Sequence, residues 1–475
     1  MKKLSTLFLL GLVSLNLSAQ KMTKDKKAVV ASVEKHKENL IKISDSIWAL
    51  AETAFEESIS SELLADYAEE NGMAVTRGVA DIPTAFIATY GSGSPVISVL
   101  GEFDALPGLS QNTVPTKDPR IDGEPGHGCG HNMFGAASLG AAIAIKEQIE
   151  AGKIEGTVKF FGTPAEEKFF GKVWMVEAGL WDDVDVNVSW HPSAEIEADV
   201  QSGLALVDFM IEFYGQAAHA SADPWNGRSA SDALELYTTG INYYREHIKP
   251  TSRIHYHIQD GGQVVNVVPD YSRLWVRVRD PKRDVMLPTF ERVKAMAEGA
   301  AIMANVEYKY SLISGIYETL VNREGGKIMQ NNLELLGPIT YTDEEITYGK
   351  AIQEATGKPQ VGMDGAVHPL KETEKLPGGG STDVGDVSWN VPNINLGVTV
   401  APKDTPWHSW AVVACGGMSI GHKGMIYASK AMGMTMLDLF DDPKLVEKVK
   451  EEYKTRKGDV KYEAMIDGPP PIPGK

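Results

Sequence analysis

Five short stretches concentrate the residue types that do chemistry. They are Gly101-Glu102-Phe103-Asp104-Ala105-Leu106-Pro107, His127-Gly128-Cys129-Gly130-His131-Asn132, Gly162-Thr163-Pro164-Ala165-Glu166-Glu167, Trp190-His191-Pro192 and Trp407-His408-Ser409. Thiolate, imidazole and carboxylate are the side chains that bind divalent transition metals. Cys129 and His131 stand two apart, so on a loop both reach one ion, and the glycines around them permit a tight backbone path. Adjacent glutamates offer two roles in one place: one carboxylate binds metal while its neighbour acts as general base on a metal-activated water. Taken singly, each piece has an ordinary reading. A Glu-Glu pair is usually solvated surface, a histidine after a strand is usually a hydrogen-bonded core residue, and Cys129 alone is a small buried hydrophobe. Their joint occurrence favours a metal site. A nucleophilic role for Cys129 would need an imidazole and an orienting group, not four more ligand-type residues.

These stretches must be positioned by regular elements. Residues 24–75 alternate charged and apolar positions at helical spacing, which predicts one or two amphipathic helices. Short apolar runs at 85–88, 96–100, 158–161 and 184–190 then predict buried strands, separated by helix-like stretches near 131–152 and 171–180. That alternation predicts an α/β catalytic domain around a mostly parallel sheet, and the chemistry-bearing stretches fall where its strands run into loops. After Gln201 the rhythm changes. Strands near 204–214, 253–259, 272–279 and 306–313, with helices near 230–247 and 285–304, predict a β-α-β-β-α-β set, an inserted ferredoxin-like α+β module. The two parts of the catalytic domain, residues 20–200 and 319–475, thus flank a module spanning 201–318, and a long helix is expected near 423–440.

Composition excludes whole classes of function. The 475-residue chain carries 64 acidic against 46 basic side chains, a net charge of −18, which argues against a nucleic-acid partner. Two cysteines, Cys129 and Cys415, are too few for a disulfide scaffold, and Cys415 reads as a buried thiol. Lys2 and Lys3 precede an apolar run from Leu4 to Leu17, and Ser18-Ala19 gives a small-residue exit. This predicts a signal peptide over residues 1–19 and an exported protein without a membrane anchor. The run is shorter than the roughly 20 residues that span a bilayer.

Taken together and in this order, the Cys-Gly-His, Pro-Ala-Glu-Glu and His-Pro boxes resemble the M20 metallopeptidase and amidohydrolase family, in its aminoacylase-like branch. The likeness covers nearly the whole chain after the leader, the inserted module included. It implies that Cys129, His131, Glu167, His191 and His408 are ligands of a two-metal centre holding Mn²⁺ or Zn²⁺, with Glu166 as general base. Other branches begin the site with a His-x-Asp pair. Here that place reads Glu102-Phe103-Asp104, so Glu102 is not carried over as a ligand, and Asp104 is read as orienting a neighbouring imidazole. Asn132 stands where many relatives have aspartate, and His127 is read as structural.

The resemblance extends to the module. His219 matches a lid histidine that hydrogen-bonds the oxyanion, commonly in the partner subunit's site; Asn266 and Arg279 match lid positions that contact substrate. Pro377-Gly-Gly-Gly-Ser-Thr-Asp383 lacks the Gly-Lys-Ser/Thr ending of a phosphate cradle and resembles the family's active-site loop, with Asp383 supporting the site. Gly421-His422-Lys423-Gly424 reads either as a plain helix start or as a group near the substrate carboxylate.

The reaction that the resemblance implies is metal-assisted hydrolysis of the amide bond between an acyl or aroyl group and an amino acid. The enzyme would be a dimer whose lids close over this small-molecule substrate, as a homodimer or with a homologous subunit. A broader aminoacylase or a dipeptide carboxypeptidase is the alternative within the family. A metal-binding protein without catalysis is disfavoured, because a purely structural site has no use for a spare carboxylate beside Glu167.

Overall fold

The computed structural model describes residues 21–374 and 379–474. The leader expected over residues 1–19 lies outside them, as do Pro377 and Gly378. Two helices, Lys24–Leu50 and Ser58–Glu70, open the described chain, the first capped by the Thr23 hydroxyl accepting the Lys26 N–H at 3.2 Å. The strands follow as β1 (Ala74–Arg77), β2 (Phe86–Ser92), β3 (Val96–Gly101), β4 (Gly156–Gly162), β5 (Val186–Ser193), β6 (Glu197–Asp199), β7 (Ala205–Tyr214), β8 (Arg253–Asp260), β9 (Tyr271–Asp280), β10 (Glu307–Ile316) and β11 (Asn393–Thr399). The helical pattern read to residue 75 therefore stops short, and its last residues form β1.

Seven strands make the larger sheet, in the order β1-β2-β4-β3-β5-β11-β6. β4, β3, β5 and β11 run parallel, while β1, β2 and β6 join the edges antiparallel. The edge reversals follow from short connections: the few residues between β5 and β6 turn the chain back and leave no room for a crossover. The helix His131–Glu150 lies against β3, β4 and β5 and is flanked by Lys24–Leu50 and Ser419–Asp441. It is buried on nearly every side, which suits its run of Ala and Gly. A buried polar ladder crosses the parallel strands. Ser98 Oγ donates to Asn187 Oδ1 at 2.6 Å, and Asn187 Nδ2 donates to Asn393 Oδ1 at 2.7 Å. Such a ladder fixes register, because a slip by one residue would bury these amides unpaired.

The second sheet, built from residues 205–316, is antiparallel in the order β10-β7-β9-β8. Helices Ala230–Tyr244 and Arg283–Ala304 pack on it around a separate core that includes Phe209, Phe213, Val276, Phe290 and Val293. This is the β-α-β-β-α-β arrangement expected of a ferredoxin-like module. The C-terminal part differs from the sequence expectation. The long helix runs over Ser419–Asp441, starting before 423, and a further helix, Pro443–Lys457, follows it. Asp442 caps that last helix and Pro443 begins it, a start signal the apolar pattern obscured.

Candidate active site

The chemistry-bearing residues converge where the parallel strands end. Glu102 and Asp104 follow β3, Glu166 and Glu167 follow β4, His191 lies late in β5 opposite Gly397 of β11, and His408 follows β11. His131 is the first residue of the helix His131–Glu150. Gly130, at φ +83°, turns the chain between Cys129 and His131; a Cβ there would stand 2.9 Å from Met133 Cε. Two other site residues sit in the left-handed region without being glycine. Ala165 is at φ +62° and His408 at φ +55°, strain of a kind held only where the surroundings impose it. The His408 N–H donates to the Gly128 carbonyl at 3.0 Å, and the Ala165 N–H donates to the buried Glu57 carboxylate at 2.8 Å.

Two imidazoles are oriented by their outer nitrogens. His131 Nδ1 lies 2.9 Å from Asp104 Oδ1, and His191 Nδ1 lies 2.7 Å from the Pro192 carbonyl. An Nδ1–H donated to these acceptors leaves each Nε2 lone pair facing the site. Asp104 Oδ2 also accepts the Glu167 N–H at 2.8 Å, so one carboxylate sets two ligand-type residues. Cys129, His131 and His191 place their donor atoms within 4.8 Å of one another, and so do Cys129, Glu167 and His408. The two groups share the Cys129 sulfur. His131 Nε2 and Glu167 Oε1 are buried without a hydrogen-bond partner. A thiol, imidazoles and a carboxylate with orphaned donor atoms are a fit for two adjacent transition-metal ions.

Electrostatics agree. Burial, reinforced by Glu102, Glu167 and Asp383, holds the Glu166 carboxyl well above the usual carboxylate range. Burial pushes Glu167 up to about 8, with Asp104 and Glu102 adding to it against His131. Burial also raises the Cys129 thiol and lowers His191 to about 4. A divalent cation reverses this logic by stabilising thiolate, carboxylate and neutral imidazole.

The sequence-predicted residues divide between two places. Cys129, Glu166, Glu167, His191, His408 and Arg279 line one cleft of about 780 Å³. Arg279 is half-buried, with its Nε unpartnered; no carboxylate stands within ion-pair distance of it among the described residues, whereas neighbouring Arg277 is held by Asp208 at 2.7 Å. His219 and Asn266 lie elsewhere, exposed on the module and joined by the bond from the Ala220 N–H to the Asn266 carbonyl at 3.1 Å. His219 Nδ1 accepts from the Ser221 and Ala222 N–H groups, so its Nε2 carries the proton outward. Asp383 reaches the site through Lys172, which lies 2.7 Å away, and burial raises its carboxyl to about 6 against the pull of that lysine.

His422 is not part of the cleft. It lies in the first turn of Ser419–Asp441 and binds Asp45 at 2.7 Å, which removes the reading of it beside a substrate carboxylate. His127 is buried and bonds the Ile47 carbonyl at 3.0 Å, and Asn132 donates to Ser44 Oγ at 3.0 Å, so both act as structural ties. Cys415 is buried and free. Sequence reasoning missed Lys172 and Glu57. The available signal was an excess of carboxylates at strand ends with no cation assigned to balance them.

Residues 99–464 match the model of peptidase family M20/M25/M40. One of the subunits of p-aminobenzoyl-glutamate hydrolase from Escherichia coli strain K12 is 38% identical over 453 residues, covering 89% of this chain and 93% of that protein. Xaa-Arg dipeptidase of Mus musculus is 28% identical over 457 residues, covering 92% of this chain and 94% of that protein. Among solved structures, a Bacillus subtilis protein described as a dinuclear metal binding peptidase from the M20 family aligns with a TM-score of 0.55 at 18% identity. It covers 86% of this chain and 99% of that one.

Proposed function

This chain belongs to peptidase family M20/M25/M40, and from that premise we propose that it hydrolyses the amide bond of N-acyl or N-aroyl amino acids such as p-aminobenzoyl-glutamate. The observation that carries this reading is the Cys129 sulfur, common to the Cys129–His131–His191 and Cys129–Glu167–His408 groups, which would let these residues hold two adjacent ions with Glu166 outside both groups. Two divalent ions there, Mn²⁺ or Zn²⁺, would acidify a water and polarise the amide carbonyl. Glu166 takes the proton of the attacking water and delivers it to the leaving amine nitrogen. Asp104 keeps His131 and the Glu167 backbone in place during that exchange. Arg279, which lines the cleft with its Nε unpartnered and no carboxylate beside it among the described residues, holds the carboxylate of the amino-acid half against the unfavourable field of a chain charged −18.

The outward Nε2–H of His219 has no substrate in its own chain. It serves as oxyanion donor in the partner subunit's cleft, with Asn266 beside it on the substrate. The apolar ring around them supports burial in a dimer: Trp225 is 70% exposed and Val265 99%. The Escherichia coli relative is named as a subunit, so a homodimer and a pairing with a homologous chain are both assigned to this surface. Residues 1–19 direct export; no helix among the described residues is long and apolar enough to cross a membrane.

The test is hydrolysis of a panel of N-acyl and N-aroyl amino acids, p-aminobenzoyl-glutamate included, and of dipeptides ending in arginine, before and after chelation. Turnover of the aroyl or acyl substrates that stops with chelator and returns with Mn²⁺ or Zn²⁺ is expected. Turnover confined to dipeptides would move the assignment to the dipeptidase reading, and activity indifferent to chelation would overturn the metal centre.

A further inference from the structure

Glu102, passed over as a ligand on sequence grounds, sits at the floor of the site in an arrangement that asks for a cation. It is 1% exposed, and its neighbours Lys172 and Asp383 are fully buried. Lys172 Nζ lies 2.7 Å from Glu102 Oε1 and 2.7 Å from Asp383 Oδ1, while the Lys172 N–H donates to Asp383 Oδ2 at 3.0 Å. Asp383 is therefore engaged at both oxygens by one residue. Glu102 has the Lys172 ammonium beside Oε1 only, and neither of its oxygens makes a directed hydrogen bond. Its other oxygen, Oε2, stands 3.0 Å from His131 Nε2, yet the two make no directed hydrogen bond, and each is buried without a partner.

That combination is informative. A protonated His131 giving its proton to Glu102 would place Oε2 on the axis of the N–H bond. Here Oε2 lies close but to the side, which leaves the Nε2 lone-pair direction open. Two donor atoms bound to one ion at about right angles, each at roughly 2.1 Å, stand about 3 Å apart. Oε2 and Nε2 are so related, and Glu102 also falls in one close group with His131 and Glu166.

We propose that Glu102 is an additional carboxylate ligand of the ion taken by Cys129, His131 and His191, and that Lys172, fastened by Asp383, is the positioning residue that fixes it there. The inference rests on the metal-centre reading above. The buried ammonium occupies one Glu102 oxygen and leaves the other to the metal. It also ties the helix Gly171–Glu177, which follows the Glu166-Glu167 turn, to the loop at Asp383 on the far side of the insert. A neutral side chain at 172 removes the cation that Glu102 and Asp383 share, and so would release Glu102 and uncouple two halves of the site.

The experiment is titration of the full-length, metal-stripped protein with Co²⁺, read by equilibrium dialysis and by the visible absorption of the bound ion, with thermal melting as the check on folding. Wild type is expected to bind two ions. Glu102→Gln, which keeps the shape and removes the charge, is expected to weaken one of the two by at least about tenfold and to alter the spectrum. Lys172→Met is expected to weaken the same ion by about 10- to 100-fold, as loss of an outer partner does, and Lys172→Arg to recover part of it. Should Lys172→Met fail to fold, Glu102→Gln alone decides. Wild-type affinity and spectrum in Glu102→Gln would overturn the proposal while leaving the centre standing. Failure of wild type to bind Co²⁺ would overturn the centre itself.

Discussion

Glu166 and His219 meet solvent in opposite ways. Glu166 is 8% exposed, among buried carboxylates whose charges oppose its ionisation, and the groups around it are held by buried Asp104, Lys172 and Asp383 of the same large unit. His219 is exposed on the inserted module, its ring fixed by local contacts from Ser221 and Ala222, two and three residues on. The large unit carries its part of the chemistry already desolvated, in a low-dielectric setting where a charge on a ligand or substrate is felt strongly. On the proposed reading the module's His219 gains strength only when another surface closes over it. One fold thus separates groups that are buried within a single chain from groups that await a partner.

The sharpest way to break this contrast is at Glu166. Glu166→Gln is expected to bind both metals normally and to lose about 10²- to 10⁴-fold in kcat; near-normal turnover with full metal content would end its role as base. Next is His219→Ala, for which a loss of about 10²- to 10³-fold in kcat is expected without change in melting temperature. Mixing the inactive Glu166→Gln and His219→Ala proteins should restore activity, because a mixed dimer has one cleft with both groups intact. A mixture as inactive as its parts would place His219 outside the partner's site. Arg279→Met is expected to raise KM and to lower kcat/KM by about 10- to 100-fold for substrates with a free carboxylate, and to leave their amides nearly unaffected.

The smallest effect concerns a charge remote from the site. Glu147 is brought down to about 2: burial opposes ionisation, but the bonds to Lys35 and His36 outweigh it. A carboxylate depressed in the folded state stabilises the fold at pH values above the ordinary carboxylate range, and that contribution is lost as pH falls from about 4.5 toward 2. Glu147→Gln should flatten the fall in melting temperature over that window, with no change at pH 7 in the response of activity to metal. An unchanged acid limb would show the pair to be too solvated to matter.

The convergence of Cys129, His131, Glu167, His191 and His408 was legible because these residue types are rare and fall at strand ends, and the strands themselves were legible from short apolar runs. Lys172 was not. It follows Glu167 by five residues, close to an unremarkable Lys168, and it is buried only because folding brings Asp383 to it across 211 positions. Glu57 was hidden for a related reason: beside Glu56, at the head of an amphipathic helix, it reads as solvated charge, yet the turn at Ala165 covers it. Of the two readings of His422, the helix start holds and the substrate contact does not: the helix begins at Ser419, and His422 in its first turn bonds Asp45 on the first helix.

The pairing of β5 with β11 sets an order on the making of this protein. His191 and Gly397 are register partners, yet the whole module is synthesised between them. The module's own core and local strand pairings allow it to condense early, while the larger sheet waits with β5 uncovered on one edge. Non-local parallel pairing of this kind is slow and exposes apolar strand edges in the interim. Late arrival of β11 closes that edge and, a few residues later, brings His408 to a group already formed by Cys129 and His191. The same event that protects the nascent sheet from aggregation is the one that finishes the hydrolytic centre.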